Sequence, residues 1–235
     1  MAYILNGFIE AFKLILSGNS EIYQIVFLSL YVSFSSTFYS TLMGIPLGIL
    51  LGIKQFRGKK AISRLLYTFM SFPPVIIGLF TSLILARSGP FGDLKLMYTP
   101  TAMIIAQIVL VTPVITGIIF NDATSNGQEV VSIGKTLGAS EKDILFLLIR
   151  ELKATIMIAL VTGFGRAISE VGAVMIVGGN IKNHTRVMTT FIAMNNNMGE
   201  YAISIAMGII LLVISFLTNS ILYKYMVGDS NANQN

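Results

Sequence analysis

The chain has 235 residues, of which 54% are hydrophobic and only 11% charged, far below the roughly 25% charge of a soluble domain. That composition excludes an ordinary water-soluble fold and places the chain in lipid. It has no Cys and a single His, His184, so thiolate, disulfide and ordinary transition-metal chemistry are not expected. The net charge of +5 is first a topology signal in so apolar a chain.

Residues 1–18 carry Ile4, Phe8, Phe12 and Ile15 near helical spacing but also Glu10 and Lys13. They read as an amphipathic helix lying on the outer interface, within a segment 1–21, rather than as a signal peptide or a sixth span. A helix crossing about 30 Å of hydrocarbon needs roughly 20 apolar residues. Five stretches qualify: Ile22 to Ile53, Leu65 to Ala86, Thr99 to Phe120, Ala154 to Val177, and Tyr201 to Tyr223. Within the first, Gly44, Gly48 and Gly52 form a smooth stripe for close helix packing. Pro46, Pro73, Pro74 and Pro113 delete backbone donors and bend their helices unless neighbours compensate.

Between the first two stretches lie Lys54, Arg57, Lys59, Lys60 and Arg64 without an acid. The positive-inside rule makes this loop cytoplasmic. Alternation then puts Lys135, Lys142, Arg150, Lys153 and Lys224 inside too, so the chain starts outside and ends in the cytoplasm. The final segment, 225–235, reads as a disordered polar tail.

Residues 121–152 are too polar to span and read as helix, turn, helix. Gly138 fits the left-handed stop of the first helix, and Ser140 with Asp143 forms a variant capping box for the second. Gly134-Lys135-Thr136 resembles the end of a phosphate-binding loop, but the glycine required five residues earlier is Glu129. Nucleotide binding is not expected of this chain, nor is any cofactor or nucleic acid.

Arg166 and Glu170 are the two charges of the fourth stretch. Four residues apart on a helix, they should share a face near mid-membrane, where a charge costs at least about 2.5 kcal/mol and must find protein or water. Two readings stand: a guanidinium fork for a passing dianion tempered by the carboxylate, or a polar staple or gate that never meets solute.

The run Lys135-Thr136-Leu137-Gly138-Ala139-Ser140, before the fourth of five spans, resembles the coupling loop of permease subunits of binding-protein-dependent ABC importers. The family's acid and two alanines align with Ser132, Ile133 and Gly134, and its later Leu-Pro with Arg150 and Glu151. The run Gly165-Arg166-Ala167-Ile168-Ser169-Glu170-Val171-Gly172-Ala173, continuing through Gly178-Gly179-Asn180-Ile181 to Thr185-Arg186, resembles the branch that imports molybdate, tungstate and sulfate. It is most similar to the tungstate permeases.

The resemblance, over about residues 22–224, implies an all-α type I permease domain in a prokaryotic cytoplasmic membrane, with its coupling loop at about 128–150. It implies no enzyme activity in this chain. A homodimer would bind two cytoplasmic ATP-binding cassette subunits through Lys135, Leu137, Gly138, Ala139 and Ser140, fed by an external oxyanion-binding protein. Arg166 and Glu170 would belong to the pathway or gate. A secondary transporter would instead show internal repeats or several charged spans, and an intramembrane enzyme a nucleophile and base; neither pattern is present.

Overall fold

The computed structural model describes Phe8, Ile9, Lys13 and residues 19–232. The expectation of an interfacial helix over 1–18 falls almost wholly outside the described residues. Among the described residues the chain is helical, and no strand occurs. α1 (Ser20–Ile53) starts where the Asn19 side chain accepts the Glu21 N–H at 2.9 Å. Its 34 residues rise about 51 Å, more than a bilayer core requires. α2 (Lys59–Met70) and α3 (Pro74–Leu85) follow, then a 3-10 turn at Gly92–Leu94. α4 (Pro100–Ser125) begins with Thr99, whose hydroxyl accepts the Ala102 N–H at 3.3 Å. The remaining helices are α5 (Gly127–Thr136), α6 (Glu141–Glu151), α7 (Lys153–Ile168), α8 (Gly172–Gly178), α9 (Met188–Asn197) and α10 (Tyr201–Ala232).

Three of the five expected spans are single helices: α1, α4 and the Tyr201–Ile221 part of α10. The other two are broken. α2 and α3 meet at 95°, and α7 and α8 at 55°. The first break has a local cause. Pro73 is extended (φ −63°, ψ 125°) because a residue preceding proline is driven out of the helical region, and Pro74 then takes the first helical position, where a missing N–H does no harm. Pro46 and Pro113, lacking such a pair, leave α1 and α4 continuous.

α4 is the axis of the bundle. Ala102, Met103, Ile104, Ala106 and Gln107 are all buried, with Val109 left exposed, so most of its surface is enclosed, as suits a central helix. The glycine stripe of α1 packs directly on it. A β-carbon on Gly44 would stand 2.8 Å from Ile115 Cγ2, one on Gly48 2.8 Å from Ile119 Cβ, and one on Gly52 2.5 Å from Ala123 Cβ. The stripe is longer than its glycines: Ser36 and Ser40 continue the four-residue spacing and are fully buried. The helix–turn–helix hairpin of α5 and α6 is not a separate unit, because Ile144, Leu148 and Leu152 join Ile119 and Ala123 in one core cluster. The segment expected to be a disordered tail continues α10 as far as Ala232; no proline stops it, and extending an existing helix is easier than starting one.

Candidate translocation site and coupling hairpin

The fourth span opens between Ile168 and Gly172, and that changes the relation of its two charges. Glu170 lies beyond the end of α7, so the four-residue helical spacing that should put it on one face with Arg166 does not apply. No ion pair joins them; the ion pairs of Glu21, to Lys182 at 2.8 Å and to Arg186 at 3.4 Å, lie elsewhere, near the start of α1. Glu170 is buried at 6% exposure. Its Oε1 accepts the Ala173 N–H at 3.0 Å, at the start of α8, and its backbone carbonyl accepts the Thr189 hydroxyl at 2.8 Å. It therefore holds the break.

Carbonyls beside the break gain side-chain partners in addition to their backbone ones, as suits irregular backbone in a membrane protein. The Ser169 hydroxyl donates to the Gly165 carbonyl at 2.8 Å. Gln107 of α4 donates to the Ala167 carbonyl at 3.0 Å and accepts the Ser36 hydroxyl at 2.7 Å, joining α1, α4 and α7. A cavity of about 10 Å³ lies among Ser29, Ser33, Gln107, Glu170 and Thr189, at the lower limit for one water.

Arg166 differs. It is half-buried, and its buried Nε has no hydrogen-bond partner. Thr162, Gly165, Arg166 and Ser169 occupy one face by helical spacing. Thr162 and Ser169 are exposed, and a β-carbon on Gly165 would meet nothing within 4 Å. Arg166 thus borders an open face of α7, with its Nε buried and unpartnered.

The two broken spans also meet. A β-carbon on Gly78 would lie 2.7 Å from Ala173 Cα, and one on Gly172 2.9 Å from Val75 Cγ2. The starts of α3 and α8 therefore adjoin.

In the hairpin, Gly138 has φ 76°. Its N–H donates to the Lys135 carbonyl at 3.1 Å, and the Ala139 N–H to the Gly134 carbonyl at 2.9 Å. These are the two bonds of a Schellman stop. The Asp143 N–H donates to the Ser140 hydroxyl oxygen at 3.4 Å, while the Ser140 N–H donates back to Asp143 Oδ2 at 3.1 Å. The Ser140 hydroxyl, then its N–H, hold the Asp143 carboxyl below its ordinary value. Lys135, Leu137, Gly138, Ala139 and Ser140 lie in and beside this turn, with Leu137 81% exposed. Phe146 and Leu145 of α6 are exposed beside them. The apolar tip has no cover among the described residues.

Several polar links were not expected. Gln128 donates to the Ile53 carbonyl at 2.5 Å and ties the hairpin to the end of α1. Asp122 accepts hydrogen bonds from Thr155 and Asn126, tying the end of α4 to the start of α7. The available signal was a lone Gln107 inside the apolar run from Thr99 to Phe120 and an acid, Asp122, just past its end.

Half-helices that meet inside an apolar bundle are how transporters build a solute site, and this chain combines them with a hairpin packed beneath the bundle. Comparison with known proteins gives the family. The description "binding-protein-dependent transport system inner membrane component" matches residues 44–225. A tungstate uptake system permease protein, TupB, of Peptoclostridium acidaminophilum is 52% identical over 224 residues, covering 95% of this chain and 98% of that protein. The TupB of Campylobacter jejuni is 34% identical, covering 94% and 93%. Among solved structures, an inward-facing MetNI methionine ABC transporter chain superposes with a TM-score of 0.75 at 16% identity, covering 91% of this chain and 98% of that one, and so shares its fold. The chain belongs to the family of inner-membrane components of binding-protein-dependent transport systems. It is a multi-span membrane transport subunit.

Proposed function

We propose that this chain is the permease of an ABC importer that carries a tetrahedral oxyanion, tungstate, into the cytoplasm. What carries the reading is the 52% identity to a tungstate uptake permease across 95% of the chain. Two copies form the pathway, an external binding protein delivers the anion, and two ATPase subunits grip the α5–α6 hairpin. The basic residues of the loop after α1 support an orientation with that loop, the hairpin and the C-terminus in the cytoplasm and the N-terminus outside.

Geometry supports separate roles for the two charges of the fourth span. Glu170, buried and bonded to Ala173, keeps α7 and α8 joined at their bend. Arg166 meets the dianion. A guanidinium, here with its Nε unpartnered, can donate to two oxygens of a tetrahedral anion at once, and a single such contact is weak enough to release it. The hairpin supports the coupling role because its buried residues share a core cluster with α4, so displacing the tip must move the spans.

Uptake by the reconstituted complex tests this. Arg166→Gln should lower tungstate transport roughly tenfold or more, the scale of a lost charge-assisted bond, while complex recovery stays normal. Arg166→Lys should keep part of the rate. Excess unlabelled molybdate should compete less well than tungstate. Normal transport by Arg166→Gln would remove Arg166 from the pathway.

A further inference from the structure

The loop after α1 is more than a topology signal, because part of it folds into a structured cationic wall. α2 starts after Gly58 (φ 97°), and its first turn carries Lys59 and Lys60 with no acid. Cations complement a helix at its C-terminus, so at this end they add to the positive pole. Lys60 and Arg64 stand four residues apart, where like charges repel. Lys59 has local partners: its ammonium donates to the Gly52 carbonyl at 2.5 Å and lies 5.8 Å from the Phe120 ring centre. Lys60 and Arg64 are exposed and make no ion pair among the described residues.

This face borders an open groove of about 890 Å³ between α2 and the end of α4. Lys60, Ser63, Arg64 and Tyr67 line one side, Asn121 and Ser125 the other, and no carboxylate lines it. The Tyr67 hydroxyl donates to Asn121 Oδ1 at 2.5 Å, which fixes the amide so that its NH₂ group can point elsewhere as a donor. The wall therefore offers an ammonium, a guanidinium fork, hydroxyls and an amide. That donor set matches a compact anion rich in acceptor oxygens.

Three edges of α2 have different surroundings. Lys59, Ser63, Leu66 and Met70 are the partly buried ones, toward α4; Ile62, Leu65 and Phe69 form an exposed apolar edge; and Lys60, Arg64 and Tyr67 form the exposed polar edge. An apolar edge beside a cationic one suits the membrane–water boundary. We propose that Lys60, Arg64, Ser63 and Asn121 form a binding site for a tetrahedral oxyanion at the cytoplasmic mouth of the permease. Two sources supply that chemistry: the transported anion on release, and the phosphate of an anionic lipid. The cytoplasmic placement rests on the orientation proposed above; the anion chemistry does not.

The test uses the complete complex in nanodiscs, comparing wild type, the double variant Lys60→Gln/Arg64→Gln, and Arg64→Lys. In neutral lipid without binding protein, equilibrium dialysis measures tungstate bound to the complex. In nanodiscs containing phosphatidylglycerol, mass spectrometry measures lipid retained by the protein. The double variant should lose roughly tenfold in affinity in one arm or both, the size expected for charge-assisted contacts, and Arg64→Lys should keep most of it. Loss in the first arm assigns the site to the transported anion, and loss in the second to lipid.

Unchanged binding in both arms overturns the proposal. So does a lower melting temperature of the double variant in anion-free neutral lipid, because removing unopposed repulsion should not destabilise the fold. Ser63→Cys, in a chain with no Cys of its own, separates the two claims. Labelling by a membrane-impermeant thiol reagent only from the cytoplasmic side supports the orientation. Labelling from outside overturns the orientation and leaves the anion chemistry standing on the two binding arms.

Discussion

Gly138→Ala separates backbone strain from packing. At φ 76° an added β-carbon would meet nothing within 4 Å, so the substitution adds no clash inside the chain. Its cost is that of holding an L-residue left-handed, roughly 1–2 kcal/mol, or roughly a 5- to 30-fold shift between the closed turn and its opened form. Two hydrogen bonds report that shift: Gly138 N–H to the Lys135 carbonyl and Ala139 N–H to the Gly134 carbonyl. Hydrogen exchange of the corresponding amides should quicken by that factor in the Ala variant, by less in Gly138→Asn, and by more in Gly138→Val. Asn is the non-glycine residue that tolerates this region, and β-branching is least compatible with it. If backbone shape is what the ATPase subunits read, uncoupling of ATP hydrolysis from transport should follow the same order. If close approach to a partner decides instead, Asn, being larger, should uncouple more than Ala despite its better-protected turn. Unchanged exchange in the Ala variant would refute the strain argument.

Gly48→Ala should destabilise the bundle by about 1–3 kcal/mol, since its β-carbon would sit 2.9 Å from the Thr116 backbone oxygen, which no rotamer change can relieve. Gly208→Ala, also helical but with nothing within 4 Å, should be neutral or stabilising in the same thermal melt. Gln107→Leu removes two buried hydrogen bonds, leaving the Ser36 hydroxyl only the Ser33 carbonyl and the Ala167 carbonyl only backbone N–H groups, and should cost about 1–3 kcal/mol, read as a lower melting temperature. Equal melting of Gln107→Leu and wild type would show that the break does not depend on this bridge. Asp143, its carboxyl held below the ordinary value by Ser140, contributes stability that is present above about pH 4 and disappears as pH falls through its lowered folded-state pKa. Exchange protection of α6 should therefore be level between pH 7 and 5 and drop only in stronger acid, and Asp143→Asn should remove the acid-dependent part.

Local features were legible in the sequence. Gly138, Ser140 and Asp143 lie within six residues and carry their own geometry, so the hairpin could be read without knowing what surrounds it. The glycine stripe was legible for the same reason, although its extension through Ser40 and Ser36 needed the packed partner to show that serine acts as a small residue there. The breaks were harder. Pro73 and Pro74 announce a bend, but apolar counting starts the second span at Leu65 and misses Lys59 to Arg64, which are the first half of an amphipathic helix. The fourth span reads as continuous because hydropathy cannot see which carbonyls have donors; Gln107 and Thr189, distant in sequence, supply them. For that reason the helical pairing of Arg166 with Glu170 fails. The link from Asp122 to Thr155 is equally non-local.

Proteoliposomes holding this chain with or without its ATPase subunits, with ATP on the cytoplasmic side and tungstate-loaded binding protein on the other, provide the most direct measurement. Tungstate should accumulate against its gradient only when the ATPase subunits and the binding protein are both present, and accumulation should stop when ATP is replaced by a non-hydrolysable analogue. Uphill accumulation by this chain alone would contradict the assignment of a permease that depends on partner subunits for its energy.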